Sequence, residues 1–331
     1  MYRPPIDAAH LHRGDLLERL KLSQYRPLTL VSAPAGYGKS TMVSCWIESC
    51  DVPSAWVSLD ESDNDLRLFL TYVISSIENI SPDVCTETRS ILKVDPLPPV
   101  AIIARSLINE LDRIENPFIL ALDDYHLIHN KSIHELIDEL LRHPLPLMHL
   151  VLIARRDPPL QLTALRARGQ MVEIRTGDLR FTLEETSLFL QQMTGATVDD
   201  SVAAILEAKT EGWVTGLRLA ALSMRHNKDV ARKLAELPTE NRYVMDYVVT
   251  EILSHHPPFV QAWLLKTSVL DRFCAPLCVA VCRSDTDAAV SGLKGRDFLD
   301  LLENAGLFVI ALDDEREWFR FHHLFQALLK R

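Results

Sequence analysis

Apolar positions in the first half of the chain follow two alternating patterns. Short unbroken runs occur at Leu28-Thr-Leu-Val-Ser-Ala33, Ser54-Ala-Trp-Val-Ser-Leu59, Phe118-Ile-Leu-Ala-Leu-Asp123, His149-Leu-Val-Leu-Ile-Ala154 and Met171-Val-Glu-Ile174. Between them, apolar residues recur every three or four positions. Leu66, Phe69, Leu70, Val73, Ile74 and Ile77 make one such set, and Val100, Ile103, Ala104, Leu107, Ile108 and Leu111 a second. Ile133, Leu136, Ile137, Leu140 and Leu141 make a third. A strand that is apolar without alternation is covered on both faces, which requires parallel strands crossed over by amphipathic helices. The pattern predicts an α/β fold with a doubly wound parallel sheet over residues 26–178, after a lead-in segment at 1–25.

After about Asp178 the strand-like runs stop. Thr182-Leu-Glu-Glu185 has the spacing of a capping box, and helical periodicity then continues to about Arg225, which predicts a small helical domain over 179–238. From about Glu240 helices are expected at Val244–Leu253, Phe259–Leu265 and Phe298–Leu302. Leu307–Leu312 and Trp318–Phe321 flank a polar turn at Asp313–Arg316 and read as a β-hairpin, with a last helix at Leu324–Leu329. Helices followed by a hairpin predict a winged-helix domain over 239–331.

Composition narrows this only a little. With 331 residues, two or three domains are expected; 47% hydrophobic and 24% charged residues are ordinary for a soluble globular protein. No apolar run is long enough to cross a bilayer, and Met1–Asp15 lacks the apolar core of a signal peptide. The expected location is cytoplasmic, with no membrane partner. The net charge of −10 disperses basic residues among more numerous acids, so direct DNA binding by this chain is not expected. Of the six cysteines, Cys274, Cys278 and Cys282 lie four apart; they read as buried small hydrophobes, since the spacing matches no familiar zinc pattern.

The chemistry is concentrated at Ala33-Pro-Ala-Gly-Tyr-Gly-Lys-Ser-Thr41, between a predicted strand and a predicted helix. This is a P-loop, G-x-x-x-x-G-K-S/T, with Ala33 in place of the first Gly. Gly36 and Gly38 let the backbone turn its N–H groups toward phosphates, and the helix that follows directs its positive end at the same anions. Ala35, Gly36, Tyr37, Gly38, Lys39, Ser40 and Thr41 are therefore the nucleotide-binding candidates for ATP or ADP. Lys39 would meet the β and γ phosphates, and the Ser40 hydroxyl would ligate Mg2+.

The run ending in Asp123-Asp124 supplies acids at the carboxyl edge of a sheet, on a strand expected to neighbour the P-loop strand. Asp123 is the second metal candidate, and Asp124 would orient or deprotonate the attacking water. The next strand ends in Ala154-Arg155-Arg156-Asp157, where Arg155 is the candidate to stabilise charge on the γ phosphate; Arg156 reads equally as an exposed basic turn. The acidic loop Asp60–Asp65 reads as the cap of the helix starting near Leu66.

With these residues in place, the chain resembles the N-terminal part of MalT-like transcriptional regulators, the large ATP-binding LuxR-type group within the STAND class of P-loop ATPases. The resemblance runs through Arg13-Gly-Asp-Leu-Leu-Glu-Arg-Leu20, the P-loop, Ser58-Leu-Asp-Glu-Ser-Asp-Asn-Asp65 and Leu122-Asp-Asp-Tyr-His-Leu-Ile128. It continues through Leu165-Arg-Ala-Arg168, Asp178-Leu-Arg-Phe181, Glu211-Gly-Trp-Val-Thr-Gly-Leu217 and Arg320-Phe-His-His-Leu-Phe325. It implies a switch: ADP holds a closed form, while ATP and an inducer favour an open form that self-associates, with slow hydrolysis serving regulation. It also implies that His322, aligned with the His of a Met-His-Asp motif, touches the ADP phosphates.

The sequence departs from relatives in two ways. Gly216-Leu-Arg218 carries Arg where many have Pro. The chain also ends at Arg331, before the repeat domain that would sense a small-molecule or protein inducer and the helix-turn-helix that would bind DNA, so a fragment or a shortened relative is expected. A turnover ATPase that remodels or loads a partner would use the same P-loop. An interaction module without hydrolysis would not need Lys39, Ser40, Asp123 and Asp124 intact.

Overall fold

The computed structural model describes residues 3–5, 11–23, 26–226, 256–282, 295–304, 307, 309–313 and 315–330. In chain order the elements begin with α1 (Gly14–Ser23), β1 (Leu28–Ser32), α2 (Lys39–Glu48), β2 (Ser54–Ser58), α3 (Leu66–Glu78), α4 (Thr86–Ile91) and α5 (Val100–Leu111). They continue with β3 (Phe118–Asp123), α6 (Lys131–Arg142), β4 (Met148–Ala154), α7 (Leu162–Ala167), β5 (Met171–Arg175) and α8 (Thr176–Leu179). The described residues form two compact units. One is mainly His12–Ala33 and Gly38–Leu179; the other is mainly Leu11, Pro34–Tyr37 and the described part of Arg180–Arg331.

The first unit is the expected parallel sheet, ordered β2-β3-β4-β1-β5. Every residue of β1, β3 and β4 is buried, as their unbroken apolar runs require, while β2 and β5 at the edges are partly open. Ile133, Leu136, Ile137, Leu140 and Leu141 of α6 and Phe69, Leu70, Val73, Ile74 and Ile77 of α3 join one core with Leu120, Leu122, Leu150 and Leu152. The Asp65 carboxylate accepts from the Leu68 N–H and caps α3, as the sequence predicts. The lead-in segment is tied to the far edge: Arg13 of the loop before α1 donates to the Leu179 and Asp178 carbonyls, each at 3.1 Å.

One expectation is corrected. β3 does not neighbour β1, because β4 runs between them. Strand order depends on where the crossover helices pack, and the apolar pattern does not record it.

In the second unit, α9 (Leu183–Thr194) opens with the predicted capping box between Thr182 and Glu185 and ends at Gly195. It packs with α10 (Asp200–Thr210) and α11 (Val214–His226) around Phe181, Phe189, Leu190, Leu206, Leu217 and Ala221. α12 (Pro258–Thr267), α13 (Ala275–Cys282) and α14 (Gly295–Asn304) follow. The antiparallel pair β6 (Val309–Ala311) and β7 (Phe319–Phe321) then leads to α15 (His323–Leu329). α12, α14, the hairpin and α15 fall where the sequence predicts them, and α13 is a helix that it did not. The expected helix at Val244–Leu253 lies outside the described residues. Phe273 exchanges both backbone hydrogen bonds with Phe319 at 2.8 Å, and the Phe321 ring packs tilted against Phe273 and edge-on to Phe325. Cys278 and Cys282 are buried on α13, and burial pushes their thiols up to about 12 and about 11.

Candidate functional site

The phosphate loop takes its shape from two glycines. Left-handed backbone falls at Gly36, with φ of 76°, and at Gly38, with φ of 75°, where a side chain is disfavoured. Ala33 needs no such freedom: it continues the strand and its N–H donates to the Ala154 carbonyl at 3.3 Å. Gly38 caps α2, and the Met42 N–H returns to the Gly38 carbonyl at 2.9 Å. Lys39, Ser40 and Thr41 thus occupy the first turn of a helix whose free N–H groups attract anions.

In the first unit the loop's second half meets the strand ends. The Ser40 hydroxyl donates to Asp123 Oδ1 at 2.9 Å, although β4 runs between β1 and β3. Two hard oxygens in contact suit Mg2+, which keeps several waters and takes its remaining ligands from phosphates. Asp123 is buried, and burial, together with the charge of Asp124, pushes its carboxyl up to about 6. A divalent cation would supply the positive charge that this carboxylate lacks, so the pair fits the metal that the loop implies. Burial, followed by the charge of Arg155, lowers Lys39 to about 8, against the opposing pull of Asp124 and Asp123. Phosphates would restore its positive charge. Asp124 is half-exposed, in left-handed backbone with φ of 55°. Arg155 is exposed at the end of β4, and Arg156 is half-buried beside it. Lys39, Ser40, Asp123, Asp124 and Arg155 are therefore gathered at one end of the sheet.

The loop's first half, Pro34–Tyr37, is fixed within the second unit. The Trp213 indole N–H donates to the Ala35 carbonyl at 3.1 Å. Thr215 donates twice to the Gly36 carbonyl, from its hydroxyl at 2.9 Å and from its backbone N–H at 3.2 Å. A side chain on Gly36 would come within 2.6 Å of the Trp213 indole nitrogen and 2.7 Å of the Thr215 hydroxyl, so only Gly fits. Tyr37 is buried; burial pushes its phenol up to about 12, with Arg180, Glu211 and Arg320 around it. Arg320 grips Glu211 with both guanidinium nitrogens at 2.8 and 2.9 Å, and Arg180 approaches the same carboxylate at 3.4 Å.

His322 is buried, with Nε2 2.7 Å from the Thr210 carbonyl and its ring edge-on to Trp213 at 6.2 Å. Because a carbonyl only accepts, Nε2 is the donor. Arg218, the departure from Gly-x-Pro, is exposed on α11.

The sequence marked Glu211–Leu217 as a motif without assigning a role to Trp213 or Thr215. The available signal was a Gly-Trp pair directly after a helix, where Gly212, at φ of 69°, leaves no room for a side chain against Phe181.

Residues 249–331 match the family described as the MalT winged helix domain. The HTH-type transcriptional regulator MalT of Serratia proteamaculans is 35% identical over 327 residues, covering 96% of this chain and 34% of that protein. The MalT of Yersinia enterocolitica is 34% identical over 327 residues, covering 96% of this chain and 35% of the relative. The chain thus spans about a third of the length of the curated relatives it matches. Among solved structures, a Walker-type ATPase of Pyrococcus abyssi aligns with a TM-score of 0.64 and 16% identity over 99% of both chains, which is a likeness of fold. Among the described residues, no helix is long and apolar enough to cross a membrane.

Proposed function

Because the chain is a homologue of MalT regulators built on a P-loop ATPase fold, we propose that it is the nucleotide-dependent conformational switch of such a regulator, working in the cytoplasm. Residues 26–178 bind the nucleotide, 179–238 form the helical domain and 239–331 the winged helix. The backbone of Ala35–Gly38 and the side chain of Lys39 hold the phosphates of ATP or ADP. Ser40 and Asp123 would hold Mg2+, which supplies positive charge to the phosphates. Arg155 answers charge on the terminal phosphate, and Asp124 orients the attacking water. ADP favours a closed state; ATP with an inducer favours an open state that self-associates, and slow hydrolysis resets the cycle. DNA contact and inducer sensing belong to parts of the regulator other than these residues.

The observation that carries this reading is how the loop is held. The Ala35 and Gly36 carbonyls are bonded to Trp213 and Thr215, and the residues just before Trp213 are bonded to the winged helix through His322–Thr210 and Arg320–Glu211. A nucleotide that reshapes the loop therefore acts on contacts that position the winged helix. His322 reports the nucleotide from the winged-helix side through this set. Each hydrogen bond contributes about 1 kcal/mol, so several must change together to supply the roughly 5 kcal/mol that moves a switch from mostly closed to mostly open.

Denaturing the freshly purified protein and identifying the released nucleotide by chromatography tests the proposal. Near-stoichiometric ADP, missing from Lys39→Ala, is expected. Protein that emerges empty and turns over ATP rapidly without inducer would favour a turnover ATPase instead.

A further inference from the structure

The turn after Asp124 holds a histidine that the reading above leaves unused. His126 lies in the short 3-10 turn Tyr125–Leu127, with its side chain 10% exposed and its Nδ1 buried and lacking a hydrogen-bond partner. That nitrogen stands 3.8 Å from Asp124 Oδ1, beyond the roughly 3 Å of an N–H···O bond and too near for a bridging water.

The two partners differ in freedom. The turn is fastened on both sides: the Tyr125 hydroxyl meets His134 Nδ1 at 2.9 Å, and the Asn64 amide donates to the Leu127 carbonyl at 2.9 Å. The Asp124 side chain is 45% exposed and sits on left-handed backbone, a conformation that concentrates at functional sites. The turn that carries the imidazole is therefore anchored on both sides of it, while the carboxylate is the more exposed partner.

We propose that His126 is a positioning residue for Asp124: when the terminal phosphate site fills, the carboxylate closes onto Nδ1–H, which fixes one oxygen and leaves the other facing the attacking water. The proposal rests on the nucleotide reading of the site. Burial, with Arg155 and Lys39 next in effect, lowers His126 to about 3, so the ring is neutral and carries a single N–H. Asp124, an acceptor only, selects the tautomer with that proton on Nδ1.

Three substitutions separate positioning from packing. His126→Asn keeps an amide nitrogen near the Nδ1 position, His126→Gln places it near Nε2, and His126→Phe keeps only the ring. Single-turnover ATP hydrolysis is expected to fall about 10- to 100-fold in His126→Phe and His126→Gln, the range seen when groups that orient an active ligand are removed. His126→Asn should recover most of the rate, and ADP affinity should stay within about twofold throughout. In the wild-type protein, imidazole 15N shifts should show Nδ1 becoming the protonated nitrogen on adding beryllium fluoride to the ADP complex.

Equal losses in all three variants together with weakened ADP binding would mean a packing role and overturn the proposal, as would an unchanged tautomer in the wild type. If wild-type protein hydrolyses ATP no faster than Lys39→Ala, the switch reading and this proposal fall together. If the wild type hydrolyses and His126→Phe matches it, only this proposal falls.

Discussion

From Gly38 to Thr41 the phosphate loop is held by a helix start and a sheet end, whereas from Ala35 to Tyr37 it is held by a tryptophan, a threonine and an ion network of the second unit. The first half gathers the groups proposed to meet phosphate, metal and attacking water: Lys39, the Ser40–Asp123 pair, Asp124 and Arg155. Its scaffold is β1, β3 and β4, buried along their whole length. The second half is held within the second unit. Its contacts are hydrogen bonds to backbone carbonyls, which are exchanged at modest cost. Under the proposed switch, the first half would secure the nucleotide and the exchangeable contacts of the second would report it.

Replacing Lys39 should break the fixed half. Loss of a buried cation facing phosphates costs about 3–4 kcal/mol, so Lys39→Ala should weaken ADP binding several-hundredfold in isothermal titration while the thermal transition of the protein is retained.

The exchangeable half should show itself in acid. Burial, with help from Arg180 and Arg320, lowers His322 from 6.5 to about 4, against Glu211 and the Thr210 carbonyl. The folded state therefore favours the neutral ring and the unfolded state binds more protons below pH 6.5. Stability is present above pH 6.5 and is lost as pH falls toward 4, by about 3 kcal/mol for this group. Denaturant unfolding from pH 7.5 to 4.5, compared with His322→Asn, should show that the variant lacks this portion of the acid loss.

Smaller effects separate the two carbonyl contacts. Trp213→Phe keeps the ring and removes the N–H to Ala35; it should weaken ADP about tenfold, since one part-buried acceptor loses its partner. Thr215→Val removes only one of two donors to Gly36 and should cost about threefold. In both variants Ser40, Asp123 and Lys39 remain in place, so the hydrolysis rate at saturating ATP should change by less than either affinity.

The sheet was legible because its strands are unbroken apolar runs between amphipathic helices, and the P-loop and the Asp123-Asp124 pair announce their chemistry through residue type and spacing. Strand order was not, which is why the Asp123 strand was expected beside β1. The short helix α4 was also missed: its first turn is polar and is capped by Glu110 of α5, whose carboxylate accepts from the Glu87 and Thr88 N–H groups at 2.7 and 2.9 Å. Nothing local in the sequence predicts that cap. The roles of Trp213 and Thr215 were hidden for the same reason, since a donor reveals itself only when the carbonyls it serves are brought to it from 178 or 179 residues away.

Amide hydrogen exchange with and without ADP tests the coupling most directly. Slower exchange is expected at residues 36–41, where phosphate binds, and also at 210–215 and 319–323, with neither change in Lys39→Ala. Protection confined to 36–41 and the ends of β3 and β4 would contradict the account, because the nucleotide would then be bound without being reported to the winged helix.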